Sequence, residues 1–297
     1  MIDTSSLINI NINTSCGNII TRFQNDVQLD LLEDYCSVLG AERQNIPYND
    51  VSAPIVLNSS FQPANISGIK EIFSPFPRLK LFLLPDNSIG IKIKNNEAYT
   101  PMELKAIFVY SFLYAIINGA NLCFLHGCAV LNEDNSATVF FGVSGVGKTT
   151  TAQRFLLQGK HVLCDDQILL CMSKEGKISM MALPTWSRLL SQDRKNWCLC
   201  DKREEYPIKH IIRLARGETK ETLEIEHVSL FKKYLWKELV AHTMMTFLSF
   251  PEEYKIILAN HFMSFLENLT SDYSPYYVLH ANLNFNIVNT LEQLNKK

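Results

Sequence analysis

Over its first 98 residues the chain alternates short apolar stretches with polar turns, and no stretch repeats another. Ile8–Ile12 alternates isoleucine with asparagine, the pattern of a strand with one buried face, and Ala53–Leu57 is apolar throughout. Leu79–Leu84 runs into Pro85-Asp86-Asn87-Ser88 and then Ile89–Ile93, so 79–94 reads as a hairpin with a four-residue loop. One helix, over about Asp30–Leu39, interrupts these strands and closes at Gly40. A sharper helix start follows at Thr100-Pro101-Met102-Glu103, with Thr at the N-cap, Pro at the first helical position and Glu at the third. That helix extends to Gly119, and its apolar content marks it as central.

Beyond Leu122 the pattern changes. Cys123–Leu131 and Ala137–Phe141 read as strands about a turn at Asp134-Asn135-Ser136. Gly142–Thr149 is a glycine-bearing loop, Thr150–Gln158 a helix closed by Gly159, and His161–Cys164 a short strand ending in Asp165-Asp166. A right-handed crossover places that strand beside Ala137–Phe141. Ile168–Met172 and Ile178–Leu183 flank Lys174-Glu175-Gly176-Lys177 as a further hairpin. The last third predicts helices over about Lys232–Leu248 and Pro251–Leu269, the second opened by a capping box from Ser249 to Glu252.

Composition narrows the class. Hydrophobic residues make up 47% and charged residues 20%, a globular balance, and a net charge of −2 lacks the basic excess of a nucleic-acid binder. The eight cysteines have no regular framework, and Cys198-Leu199-Cys200 has no second Cys/His pair at zinc spacing, so they read as reduced thiols. The longest uncharged run, Ala106–Asn121, is shorter than the about 20 residues of a membrane span and is broken by Ser111, Asn118 and Gly119. The start of the chain lacks the pattern of a signal peptide. A cytoplasmic protein with no membrane and no nucleic-acid partner is expected.

The chemistry concentrates in Gly142-Val143-Ser144-Gly145-Val146-Gly147-Lys148-Thr149, which fits G-x-x-x-x-G-K-[ST] between an apolar strand and a helix-forming run. Glycines let backbone N–H groups converge on phosphate oxygens, and the following helix aims its positive end at the same place. Lys148 supplies a full charge toward the outer phosphates, and the Thr149 hydroxyl suits magnesium; Thr150 extends the binding segment. Asp165 and Asp166, at the carboxyl end of a strand, supply the hard oxygens that Mg2+ requires. ATP and Mg2+ are the cofactors this predicts.

Those residues, FFGVSGVGKTT followed closely by VLCDD, resemble the nucleotide site of HPr kinase/phosphorylases and ATP-dependent phosphoenolpyruvate carboxykinases. Leu125-His126-Gly127-Cys128-Ala129-Val130 adds to the resemblance, which implies that His126 lies near the transferred phosphate. The segment ALPTWSRLL is similar to the arginine-bearing segment of small HPr kinase-related proteins, some of which phosphorylate a serine of a precursor peptide; it implies Arg188 as a substrate contact. Two departures point away from HPr itself: Thr149-Thr150 stands where true HPr kinases carry Ser-Glu, and 184–217 lacks their glycine-rich signature. Carboxykinases are much longer chains.

The expected architecture is therefore α/β, with a P-loop core of the HPr kinase/phosphoenolpyruvate carboxykinase type over 99–297. A smaller N-terminal α+β segment over 1–98 would serve recognition or pairing with a second copy of the chain. The expected activity is Mg-ATP-dependent transfer to a serine or threonine hydroxyl of a peptide or small protein, with Asp165, Asp166, His126 and Lys148 catalytic. A kinase of small-molecule hydroxyls such as free serine, and a non-catalytic ATP-binding module, are the alternatives. Pro184–Arg216, with Trp186 and Trp197 among cationic side chains that include Arg188, Arg194, Arg213 and Arg216, is the expected peptide-facing loop.

Overall fold

The computed structural model describes residues 7–24, 42–44, 46, 51–58, 61–63, 67–94, 99–183, 204–217, 221–282 and 294. The helix expected over Asp30–Leu39 and the segment holding Arg188, Trp186 and Trp197 lie outside the described residues. Among the described residues the fold is mixed α/β, with two sheets and few helices, and it divides into two compact units. One comprises Met1–Leu122 with Thr243–His261; the other comprises Cys123–His242 with Phe262–Lys297.

The first unit holds a sheet of strands β1 (Leu7–Thr14), β2 (Gly17–Gln24), β3 (Glu42–Gln44), β4 (Ile55–Val56), β5 (Lys70–Ile72), β6 (Leu79–Leu83) and β7 (Ile89–Ile93), in the order β3-β1-β2-β4-β7-β6-β5. β6 and β7 form the hairpin expected from Leu79–Ile93. β2 pairs along the whole of β1 although its sequence hides it, because buried polar groups interrupt the apolar pattern. Arg22 is buried on it, and its guanidinium donates to Asn9 Oδ1 at 3.2 Å and to the Val51 carbonyl at 2.7 Å. Helix α1 (Pro101–Ile117) starts where expected, with the Thr100 N–H donating to the Glu103 carboxylate at 2.6 Å.

The second unit is built on β8 (Leu122–Leu131), β9 (Ala137–Phe141), helix α2 (Lys148–Leu157), β10 (Val162–Cys164), β11 (Gln167–Met172), β12 (Ile178–Ala182), β13 (Glu205–Arg216), β14 (Thr222–Ile225) and helix α3 (Val228–Val240). In chain order there follow a short helix α4 (Met244–Phe247), which belongs to the first unit, the long α5 (Glu252–Asp272), whose residues from Phe262 onward belong to the second, and β15 (Tyr277–Ala281) of the second unit. The helix expected over Lys232–Leu248 is thus two helices, α3 beginning four residues earlier. Ser249 does not cap α5, which starts at Glu252; its hydroxyl instead accepts a hydrogen bond from Tyr110 at 3.0 Å.

β10 does not lie beside β9. β9 already has β8 on one edge, through the hairpin about Asp134–Ser136, and the parallel strand β13 on the other. β10 therefore takes the free edge of β8, antiparallel to it, with Val162 opposite Val130 and Cys164 opposite Ala129. β9 and β10 both run against β8, so they point the same way with β8 between them. The hairpin of β11 and β12 forms as expected.

β13 corrects the reading of 184–216 as one cationic loop. Its residues 205–216 form a central strand pairing with β12, β9 and β15. Ile212 and Leu214 pack with Phe140, Phe155, Val162 and Leu279 beneath α2. Arg213 is no rim cation: it is buried, its Nε donates to Glu226 Oε2 at 2.6 Å and its Nη2 also bonds Glu226. Among the described residues no helix is long and apolar enough to cross a membrane.

Candidate functional site

The end of β9 fixes where the glycine loop begins. Phe141, its last residue, lies opposite Gly127 of β8, and the chain then leaves the sheet. Val143, Ser144 and Gly145 are exposed, while Gly147 caps α2 with φ 112° and ψ 23°, a left-handed conformation that a side chain would strain. α2 starts at Lys148, two residues before the sequence pattern suggests, and its first N–H groups lie at the mouth of the loop. Thr149 is exposed at that mouth and Thr150 is half-buried.

Lys148 is buried, with its ammonium turned onto the loop's own backbone: Nζ donates to the Gly142 carbonyl at 2.5 Å and lies 3.4 Å from that of Val143. Burial lowers its pKa below 10.5, opposed by the negative charges of Glu238 and Asp166. Cys128, buried on β8, is pushed up to about 12 by burial and then by the charge of Asp165, with Lys148 acting against them. Asp165 and Lys148 thus both act on one thiol.

β10 brings the two aspartates to the same end of the sheet. The Gly127 N–H donates to the Asp166 carbonyl at 3.2 Å, so the Asp-Asp turn is tied to β8 one residue from where the loop departs. On its other side β9 leaves no room for a side chain at position 127, where a Cβ would stand 2.6 Å from the Phe140 carbonyl oxygen. Asp165 is 2% exposed and points inward, whereas the Asp166 side chain is 40% exposed. His126, the next residue along β8, has Nε2 3.6 Å from Asp166 Oδ1.

Two residues that the sequence pattern did not single out complete the cluster. Glu238, buried on α3, accepts a hydrogen bond from His126 Nδ1 at 2.7 Å. A carboxylate can only accept, so Nδ1 carries the proton and Nε2 faces Asp166. His242, just past α3, stacks edge-on against His126 with ring centroids 4.9 Å apart. The only available signal was the spacing of Glu238 and His242, four residues apart at a helix end. Arg216 was expected in a peptide-facing loop; instead it ends β13, and its Nη2 donates to the Gly145 carbonyl at 3.1 Å. The structure therefore brings Gly142–Thr150, Asp165, Asp166 and His126 to one end of one sheet, while Arg188 lies outside the described residues.

The family model of the SynChlorMet cassette protein ScmC matches residues 92–294, more than half of the chain. The chain belongs to the ScmC family. The match runs over every residue of the cluster just described in this ScmC-family chain. None of the curated proteins matches it. Among solved structures, the HPr(Ser) kinase/phosphatase from Coxiella burnetii is similar at 14% identity over 35% of this chain and 77% of that one, with a TM-score of 0.24. A superposition that loose carries no argument about activity.

Proposed function

We propose that this chain is a Mg-ATP-dependent kinase that transfers the γ-phosphoryl group to a serine or threonine hydroxyl of a peptide or small protein. The observation that carries the reading is the meeting of the glycine loop, Lys148 and the Asp165-Asp166 turn at the carboxyl ends of β9 and β10, beside Gly127 midway along β8. Loop amides and the start of α2 would supply N–H donors for phosphate oxygens. Lys148 and Arg216, both bonded to loop carbonyls, place positive charge beside it, where charge spreads over the transferred group.

The donors present fit magnesium: a threonine hydroxyl and a carboxylate are hard oxygens, and this ion keeps waters for its remaining positions. Thr149 and Asp165 would hold it, and it would neutralise charge on the phosphates. Asp166 is the more accessible of the two carboxylates and takes the role of base, accepting the acceptor hydroxyl's proton. The hydroxyl oxygen then bonds to the γ-phosphorus, and the bond to the β–γ bridging oxygen breaks with its electron pair leaving on ADP. His126, held by Glu238, orients the acceptor hydroxyl beside Asp166.

The test offers Mg-ATP with free serine, oxaloacetate and a panel of serine- and threonine-bearing peptides, and follows phosphate transfer by mass spectrometry. Phosphopeptide formation supports the reading. Phosphorylation of free serine alone keeps a kinase but removes the peptide acceptor.

A further inference from the structure

Phosphoryl transfer requires oxygen donors at this sheet end, yet the cluster also holds two imidazoles. We propose that His126, Asp166 and His242 bind a divalent transition metal of the zinc class in tetrahedral geometry, oriented by Glu238. One ligand atom from each of the three residues lies within 4.8 Å of the others. They come from three separate pieces of the chain, β8, the turn after β10 and the turn after α3, so the fold and not local sequence assembles them.

The separation between His126 and Asp166 is informative. At 3.6 Å, Nε2 and Oδ1 are too far apart for a hydrogen bond. Two donors bonded to one tetrahedral zinc at its usual bond lengths would stand roughly 3.4 Å apart. Neighbouring donors on an octahedral magnesium would stand only about 2.9 Å apart. The observed gap is thus close to the tetrahedral spacing. The Glu238 carboxylate holds His126 Nδ1 at 2.7 Å and leaves Nε2 toward Asp166, the arrangement that orients metal-binding histidines. Imidazole nitrogens favour zinc, cobalt, nickel or copper over magnesium. Three protein ligands leave the fourth position open.

This site needs neither nucleotide nor acceptor, so it stands or falls apart from the kinase reading. Asp166 cannot hold such an ion and accept a proton at once, so an ion here belongs to a state other than the transferring one.

The experiment uses the full chain, stripped with a chelator and free of nucleotide, titrated with Co2+ as a spectroscopic probe and with Zn2+ by calorimetry. One equivalent of Co2+ with the intense visible bands of a tetrahedral site, displaced by Zn2+ but not by excess Mg2+, is expected. His242→Gln should abolish the tetrahedral spectrum, and Glu238→Gln should keep it while weakening affinity about 10- to 100-fold. Circular dichroism of each variant checks that it folds; where His242→Gln does not, Glu238→Gln carries the test. An octahedral spectrum, unchanged binding in either folded variant, or a thiolate-to-cobalt band placing the ion on cysteines would overturn the proposal.

Discussion

Replacing Lys148 by methionine separates the charge of this side chain from its bulk. Lys148 is buried with its ammonium against the Gly142 carbonyl at 2.5 Å. Removing the ammonium gives up a hydrogen bond from a charged donor, worth about 1.5–3 kcal/mol. It also removes the cost of holding that charge away from water, which is several kcal/mol for a buried ion. Methionine keeps the aliphatic volume, so no cavity opens. The two charge effects nearly cancel, and urea unfolding at pH 7 should put Lys148→Met within about 1 kcal/mol of wild type. The pH dependence gives a second check. Burial lowers the folded-state pKa of Lys148 below 10.5, so between that lowered value and 10.5 the unfolded chain binds more protons. Wild-type stability should therefore gain a contribution as pH rises through that window, and Lys148→Met should lack it. Phosphotransfer should disappear in the same variant. Loss of more than about 3 kcal/mol would refute the charge accounting, since breaking a needed buried pair costs that much; undiminished transfer would refute the role of the lysine.

Asp165→Asn should raise the Mg2+ concentration for half-maximal rate, whereas Asp166→Asn should lower kcat by about 10²–10⁴, the usual contribution of a general base; equal, small effects on steady-state kinetics would contradict both roles. Gly127→Ala puts a Cβ 2.6 Å from the Phe140 carbonyl and 3.2 Å from Ile168 Cδ1, and should destabilise by about 1–3 kcal/mol in urea unfolding. Arg213→Met leaves Glu226 buried without its guanidinium and should lose about 3–5 kcal/mol, while Arg213→Met with Glu226→Met should recover most of it.

What could be read from the pattern was local. The β6–β7 hairpin, the start of α1 at Thr100–Glu103 and the loop before α2 all depend on residues within a few positions of one another. What could not be read depended on distant partners. β2 is masked because Arg22 is buried, and its charge is met by Asn9 and the Val51 carbonyl. β13 looked like a cationic loop because nothing near Arg213 announces Glu226, 13 residues on. The place of β10 follows from competition for strand edges, which hydrophobic spacing does not encode. At the candidate site, the loop and the aspartate pair were visible as motifs. Glu238 was not, since it meets His126 across 112 residues of chain.

The central claim is that the loop and the aspartate turn together transfer phosphate from ATP. It is tested most directly by incubating the protein with γ-labelled ATP, with and without Mg2+, alongside the peptide panel, and resolving labelled products. Label on a peptide hydroxyl, dependent on Mg2+ and absent with Lys148→Met, is the predicted result. Tight nucleotide binding with no label transferred to peptide or serine, or transfer that persists in Lys148→Met, would contradict it.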